Sequence, residues 1–221
     1  MNAGSGGRAR RGRICPAAVA PAVSPPFPES TVVDLLEIEG FLDAAMRAEL
    51  VAELNAAGGS AATVLGPQAG GRVQAEVRKA TRVAVAPETR ARVREHLMQR
   101  KAEIEAHFGV SLAECEDPQF LRYEEGDFFV AHQDGNTPSV WDDSRFRRIS
   151  AVIFLNERCD EPAAGTYGGG ELVFHGPYPN YDVRVAASAG PGSLVTFRAE
   201  TTHEVTPVTH GVRFSIATWF R

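Results

Sequence analysis

The stretch GVRFSIATWF, residues 211 to 220, decides how the chain is read. Side chains alternate along a β-strand, so residues two apart share a face. Val212, Phe214, Ile216, Thr218 and Phe220 form one face, which is apolar and reads as the packing side. Arg213, Ser215, Ala217 and Trp219 form the other. A face that carries a guanidinium and a hydroxyl amid such a run reads as the interior of a barrel with a ligand inside it.

Working back from this strand, short β-rich runs separated by turn residues fill the chain from about residue 116. They are QFLRY, DFFVAHQ, RRISAVIFLN, GELVFHG, YDVRVAA, SLVTFRA and THEVTPVTH, with GVRFSIATWF as the eighth. Such spacing suggests an antiparallel sandwich or barrel, an eight-stranded jelly roll, rather than βαβ units. The preceding part is more helical. VVDLLEIEGFLD reads as a strand leading into a helix, and AAMRAELVAELNAAGG has helical spacing ended by Gly58. Residues 59 to 76 read as a loop, and KATRVAVAP as one strand. PETRARVREHLMQRKAEIEAHFG predicts one amphipathic helix, with Pro87 near its start and Gly109 past its end. The fold expected is mainly β with N-terminal helices, an α+β class.

The 221 residues suit one domain over 31–221, with 31–115 as a helical support region and 116–221 as the β core. Residues 1–30 are rich in Gly, Ala, Pro and Arg and read as a disordered tail. Pro16, Pro21, Pro25 and Pro26 oppose reading this segment as a signal peptide. A net charge of −5 gives no support to nucleic-acid binding. No apolar run approaches the roughly 18 residues of a membrane span. Cys15, Cys115 and Cys159 are an odd set without CxxC spacing, which argues against a disulfide framework and for a reducing, cytoplasmic compartment. Oligomeric state is not readable.

DFFVAHQ raises the chemical question. His132 and Asp134 lie two apart at the end of an apolar strand, and alternation places them on one face with Phe128 and Val130. His203 sits at the start of a late strand. Two histidines and one carboxylate occupy a triangular face of an octahedral metal and leave the other positions open, which suits non-haem Fe(II). The same set also suits Zn(II), so a zinc-dependent hydrolase or isomerase on a cupin-like barrel is a second reading. A lone HxD pair is a weak signal; with His203, and with Arg213 isolated in an apolar run, the combination is stronger.

The ordered set RYEEGDFFVAHQD, FLN, GGEL, GSLVTF and HEVTPVTHGVRFSIATWF resembles the Fe(II)/2-oxoglutarate-dependent oxygenases, in particular their prolyl-4-hydroxylase-like branch. The resemblance covers about residues 118 to 221. It implies a double-stranded β-helix, cupin-like, with iron on His132, Asp134 and His203. It implies Arg213 on the distal carboxylate of 2-oxoglutarate, with Tyr123 and Ser215 assisting. It further implies O2 as oxidant, ascorbate as an auxiliary reductant, and release of succinate and CO2 as an unactivated C–H is hydroxylated. Phe154 departs from the oxygen-sensing type, which has a tyrosine there. That departure shifts weight onto Tyr123, Ser215 or Thr196. The substrate implied is a prolyl or other residue of a protein or peptide; a small molecule, such as a free amino acid or natural-product intermediate, and a non-catalytic binding module are the other readings.

Loops on a rigid β scaffold commonly set specificity. Trp141 and Arg145 in GNTPSVWDDSRF are therefore candidate substrate contacts, with Trp219 as a candidate on the Arg213 face. Gly168, Gly169 and Gly170 read as a turn entering a strand. His210 and His175 read as turn residues, His96 and His107 as structural, and Cys159 as having no evident partner.

Overall fold

The helices cover one face of a large antiparallel sheet, and a second sheet closes over the other. The computed structural model describes residues 33–63, 74–137, 142–177 and 179–221. The expected tail, residues 1–30, lies outside them. In chain order the elements are β1 (Leu35–Ile38), α1 (Ala44–Ala56), β2 (Gly59–Ala61), β3 (Arg78–Lys79), β4 (Thr81–Val83), α2 (Pro87–Gln99) and α3 (Lys101–Phe108). There follow β5 (Gln119–Tyr123), β6 (Phe128–His132), β7 (Ile149–Phe154), β8 (Tyr167–Gly169), β9 (Leu172–His175) and β10 (Arg184–Ala186). The last are β11 (Leu194–Arg198), β12 (His203–Val205), β13 (Val208–Gly211) and β14 (Arg213–Phe220).

The major sheet runs β1-β11-β7-β14-β5-β4-β2 and the minor sheet β10-β9-β12-β6-β3, with β13-β8 as a separate ribbon. Neighbours in the two sheets pair antiparallel. This mostly β architecture is the double-stranded β-helix expected, but the N-terminal region supplies more of it than its helical pattern announces. β1 and β2 form the two edges of the major sheet, and β2 falls in the stretch read as loop. KATRVAVAP is not one strand. β3 pairs with β6 in the minor sheet and β4 with β5 in the major one, and buried Ala80 stands where the chain crosses between them.

The alternation of β14 holds along its length. Phe214, Ile216 and Phe220 join the main apolar core with Met46, Leu50 and Leu54 of α1, Val93 and Leu97 of α2, and Ile104 and Phe108 of α3. Leu50/Leu54 and Leu97 sit at helical spacing on the inward stripe, and each is fully buried. Asp43 caps α1 by accepting a hydrogen bond from the Met46 N–H at 2.8 Å. The long helix read from the sequence is two. Arg100 leaves helical geometry at φ −94°, ψ −2°, and its N–H bonds to the Leu97 carbonyl in a tighter turn. No glycine or proline marks that break. Gly109, at φ 63°, ends α3 as expected.

Between the sheets lie two smaller clusters. One holds Phe154, Leu172, Phe174, Val195 and Phe197; the other holds Ala80, Leu121, Tyr123, Val205 and Val208. The THEVTPVTH run divides into β12 and β13, so His210 lies in a strand and is half-buried rather than in a solvated turn. Residues 157–169, between β7 and β9, contain β8, which the sequence reading missed. Cys159, read as having no evident partner, is disulfide-bonded, whereas buried Cys115 is free. Among the described residues, no helix is long and apolar enough to cross a membrane.

Candidate metal centre and cosubstrate pocket

His203 is fixed first. It lies in β12, in register with Phe174 of β9 on one side and His132 of β6 on the other. The β6 partner departs from simple alternation. His203 faces His132 but Val205 faces Phe129, so β6 uses three steps where β12 uses two. This β-bulge adds one residue and re-aims the strand end. Phe128 and Val130 therefore do not share the His132 face, contrary to the alternation expected, and Val130 is exposed. Phe129 does share it: the two rings stack at 3.5 Å with an interplanar angle of 17°.

Asp134 follows the end of β6. Its N–H bonds to the Ala199 carbonyl at 2.9 Å, which holds the turn against the loop after β11. Ligand atoms from His132, Asp134 and His203 then lie within 4.8 Å of one another. His132 Nε2 is 3.6 Å from Asp134 Oδ1, and His203 Nε2 is 3.5 Å from Asp134 Oδ2. The other ring nitrogens are engaged: Nδ1 of His132 with the Val130 carbonyl at 2.8 Å, and Nδ1 of His203 with the Thr201 carbonyl at 2.9 Å. A carbonyl can only accept, so each Nδ1 carries the proton and each Nε2 presents a lone pair to the shared point. Ser150 Oγ donates to Asp134 Oδ2 at 2.7 Å and orients the carboxylate.

Charge follows the same geometry. Burial alone would raise the Asp134 carboxyl, but His203, His132 and the Ser150 hydroxyl outweigh it and hold the group ionised, far below the usual carboxylate range. Burial pushes His203 down to about 4, with His132 acting in the same direction, so its imidazole is neutral near pH 7. A neutral His203 imidazole and an ionised Asp134 carboxylate are protonation states a divalent metal needs.

These groups face a cavity of about 260 Å3. Arg213, Ser215, Ala217 and Trp219 of β14 line it, as the strand's alternation requires, and so does Tyr123 of β5. Arg213 is 1% exposed. Its Nη1 donates to Ser215 Oγ at 2.7 Å, and its Cζ lies 5.1 Å from the Tyr123 ring centroid and 5.3 Å from that of Phe154. Its Nε has no hydrogen-bond partner, and among the described residues no carboxylate pairs with it. Room for its stem comes from Gly170, at φ +58°, where a Cβ would stand 2.9 Å from Arg213 Cδ. The triple glycine is thus a strand end and a close approach as well as a turn.

Residues 118–221 match the sequence model of the 2OG-Fe(II) oxygenase superfamily. The matched segment holds His132, Asp134, His203 and Arg213. Over 104 residues the chain is 38% identical to a PKHD-type hydroxylase of Shewanella oneidensis, a match covering 47% of this chain and 42% of that protein. The chain thus spans less than half the length of the curated relatives it matches. In fold it is similar to the crystal structure of a Pseudomonas putida prolyl-4-hydroxylase, with TM-score 0.64 and 23% identity over 87% of this chain and 95% of that one. It is similar too to a prolyl hydroxylase from Trichoplax adhaerens in complex with a hypoxia inducible factor oxygen degradation domain peptide fragment. There the TM-score is 0.63 and the identity 16% over 87% of this chain and 85% of that one.

Within this fold the other sequence candidates divide. Trp219 lines the cavity. Trp141 lies outside the described residues. Arg145 is exposed, folds over the Phe146 ring at 4.6 Å and does not line the cavity. Thr196 is buried but donates to the Leu36 carbonyl at 3.3 Å and does not line the cavity.

Several residues in and around the site were not anticipated. Arg147 stacks on Trp219 with Cζ 3.6 Å from its ring centroid, and donates through Nη1 to the Asp134 carbonyl at 3.2 Å. Glu116 takes its other two donors at 3.0 and 2.8 Å. Burial would raise the Glu116 carboxyl, but Arg147 and Arg221 together lower it. Ser150 was legible as a hydroxyl in an apolar run. The Glu116–Arg147 pair spans 31 positions and leaves no local signal.

Proposed function

We propose that this chain is an Fe(II)- and 2-oxoglutarate-dependent dioxygenase that hydroxylates an unactivated C–H of a protein or peptide, a prolyl residue being the first choice. The observation that carries this is Arg213. A fully buried guanidinium that no carboxylate of the described residues pairs with is costly unless a ligand supplies one. It faces the same cavity as His132, Asp134 and His203. The donor set fits a ferrous ion: two imidazoles held by backbone carbonyls and a carboxylate held by a serine, all on one side of an open cavity.

Bound there, iron with 2-oxoglutarate would supply O2 activation coupled to decarboxylation of the cosubstrate to succinate and CO2. The chain's own residues position and shield. His132, Asp134 and His203 would hold the ion. Arg213 would take the far carboxylate of the cosubstrate through paired N–H donors, and Ser215 fixes the guanidinium plane by accepting from Nη1. The Tyr123 ring packs on that guanidinium. Trp219, Val152, Leu172 and Val205 supply apolar walls that keep water from the reacting groups. The peptide seen in the Trichoplax structure supports a peptide substrate here by likeness of fold.

The test is incubation of the protein with Fe(II), ascorbate and 2-oxoglutarate alongside panels of peptides and small molecules, with succinate measured. Substrate-dependent succinate that requires Fe(II) is the expected result. Turnover supported by Zn(II) without 2-oxoglutarate would replace this reading by a zinc hydrolase or isomerase.

A further inference from the structure

Three buried arginines line the cavity, and their charges are balanced differently. Arg147 is matched by the bidentate Glu116. Arg213 is unmatched, and the proposed cosubstrate accounts for it. Arg78 is the third. It is 8% exposed, its Nε has no hydrogen-bond partner, and among the described residues no carboxylate pairs with it. Its Nη1 reaches only the Thr63 carbonyl, at 3.2 Å.

The position of Arg78 ties it to the reaction centre. In β3 it pairs in register with Phe129 of β6, and its Cζ lies 4.7 Å from the Phe129 ring centroid. Phe129 in turn stacks on His132. The cation therefore stands one ring away from a proposed metal ligand, on the β6 side of the cavity, whereas Arg213 enters from β14. The ring contact offsets part of the cost of burying the charge, but supplies no acceptor for Nε. Arg82 of β4 also lines the cavity; it is exposed and enters no ion pair with a described residue. From Leu54 to Ala75 the sequence holds neither Asp nor Glu, and Glu76, two residues before Arg78, is exposed and forms no ion pair with it.

We infer that Arg78, with Arg82 lining the same cavity, forms a second anion subsite, and that the substrate carries a carboxylate which this subsite binds while the reacting C–H lies at the metal. The inference rests on the oxygenase reading above and deepens it. One carboxylate, that of the cosubstrate, goes to Arg213; the other belongs to the substrate. An acidic side chain of a peptide and a free amino or organic acid present the same group, so the chemistry is shared and the source is for experiment.

The full chain is loaded with Mn(II) and saturating 2-oxoglutarate under nitrogen, which occupies Arg213, and binding is followed by calorimetry. The probes are N-acetylglutamate against N-acetylglutamine, and two pools of capped peptides that differ only in Glu against Gln. At least one acidic probe should bind about tenfold more tightly than its neutral counterpart, the worth of one charge-assisted hydrogen bond in a shielded site. Arg78→Gln should abolish that preference and leave 2-oxoglutarate affinity unchanged. Arg78→Lys should keep part of it, and Arg92→Gln, on the exposed face of α2, all of it. A preference confined to the peptides identifies a protein substrate; one confined to N-acetylglutamate identifies a small acid. Equal affinity of acid and amide, or a preference that survives Arg78→Gln, overturns the subsite while the oxygenase reading stands. Failure of the Mn(II)-loaded wild type to bind 2-oxoglutarate overturns the oxygenase reading itself.

Discussion

The two faces of β14 share one backbone and divide the protein's work. Phe214, Ile216 and Phe220 press outward into the helix-covered core, while Arg213, Ser215 and Trp219 point inward to the cavity. The outward face is apolar and interchangeable in kind: any well-shaped hydrocarbon there stabilises the fold. The inward face holds an unmatched cation that no consideration of stability explains. Stability and chemistry are thus separated by one residue along the chain, and substitutions on the two faces should fail in different ways.

The sharpest way to break this contrast is on the inner side. His132→Ala should lower coupled turnover by about a thousandfold or more, measured as succinate formed, because two ligands do not hold an open metal site. Its thermal midpoint without metal should stay near wild type. A melted protein would mean that the inner face is structural after all. Next comes the outer face. Ile216→Ala should cost about 2–5 kcal/mol of unfolding free energy by denaturant titration, with 2-oxoglutarate affinity of the folded fraction unaltered. Arg213→Ala should raise the 2-oxoglutarate requirement by about ten- to a hundredfold, as loss of a charge-assisted pair demands. An unchanged requirement would remove the anchor role. Ser150→Ala, which frees Asp134 Oδ2, should weaken Fe(II) retention by about tenfold, read by competition with a chelator. The smallest effect concerns Cys115, whose thiol is pushed up to about 11 mainly by burial. At pH 8 it should resist alkylation in the native protein and react on unfolding; rapid native labelling would place it at the surface.

How much of this was legible depends on how far each signal travels along the chain. Alternation in β14 is local, so the inward placement of Arg213, Ser215 and Trp219 could be read directly. The helix stripes of α1 and α2 were equally plain, as was Gly109 at the end of α3. Pairing across the sheets is not local. Nothing in KATRVAVAP states that β3 and β4 belong to different sheets, because both halves carry strand-forming residues and the crossing at Ala80 is set by partners about forty residues on for β4 and about fifty for β3. The same holds for Glu116 and Arg147, whose ion pair exists only after β5 and β7 have joined the sheet. Arg78 was missed for a related reason: its meaning lies in the acid that fails to accompany it once folded. Resemblance supplied the roles of His132, Asp134 and His203 together, since spacing alone left zinc and iron both open.

The bulge in β6 sets a constraint of count on the segment between Phe129 and His132. Val130 and Ala131 contribute little through their side chains, and Val130 is exposed, so their identity is nearly free. Their number is not. Removing one would restore regular pairing with β12 and keep Phe129 and His132 on one face, but it would displace the carbonyl, now that of Val130, which holds His132 Nδ1 and aims its ring. A deletion there would re-aim the imidazole while leaving a protein that still folds, so this two-residue interval tolerates a change of residue better than a change of length.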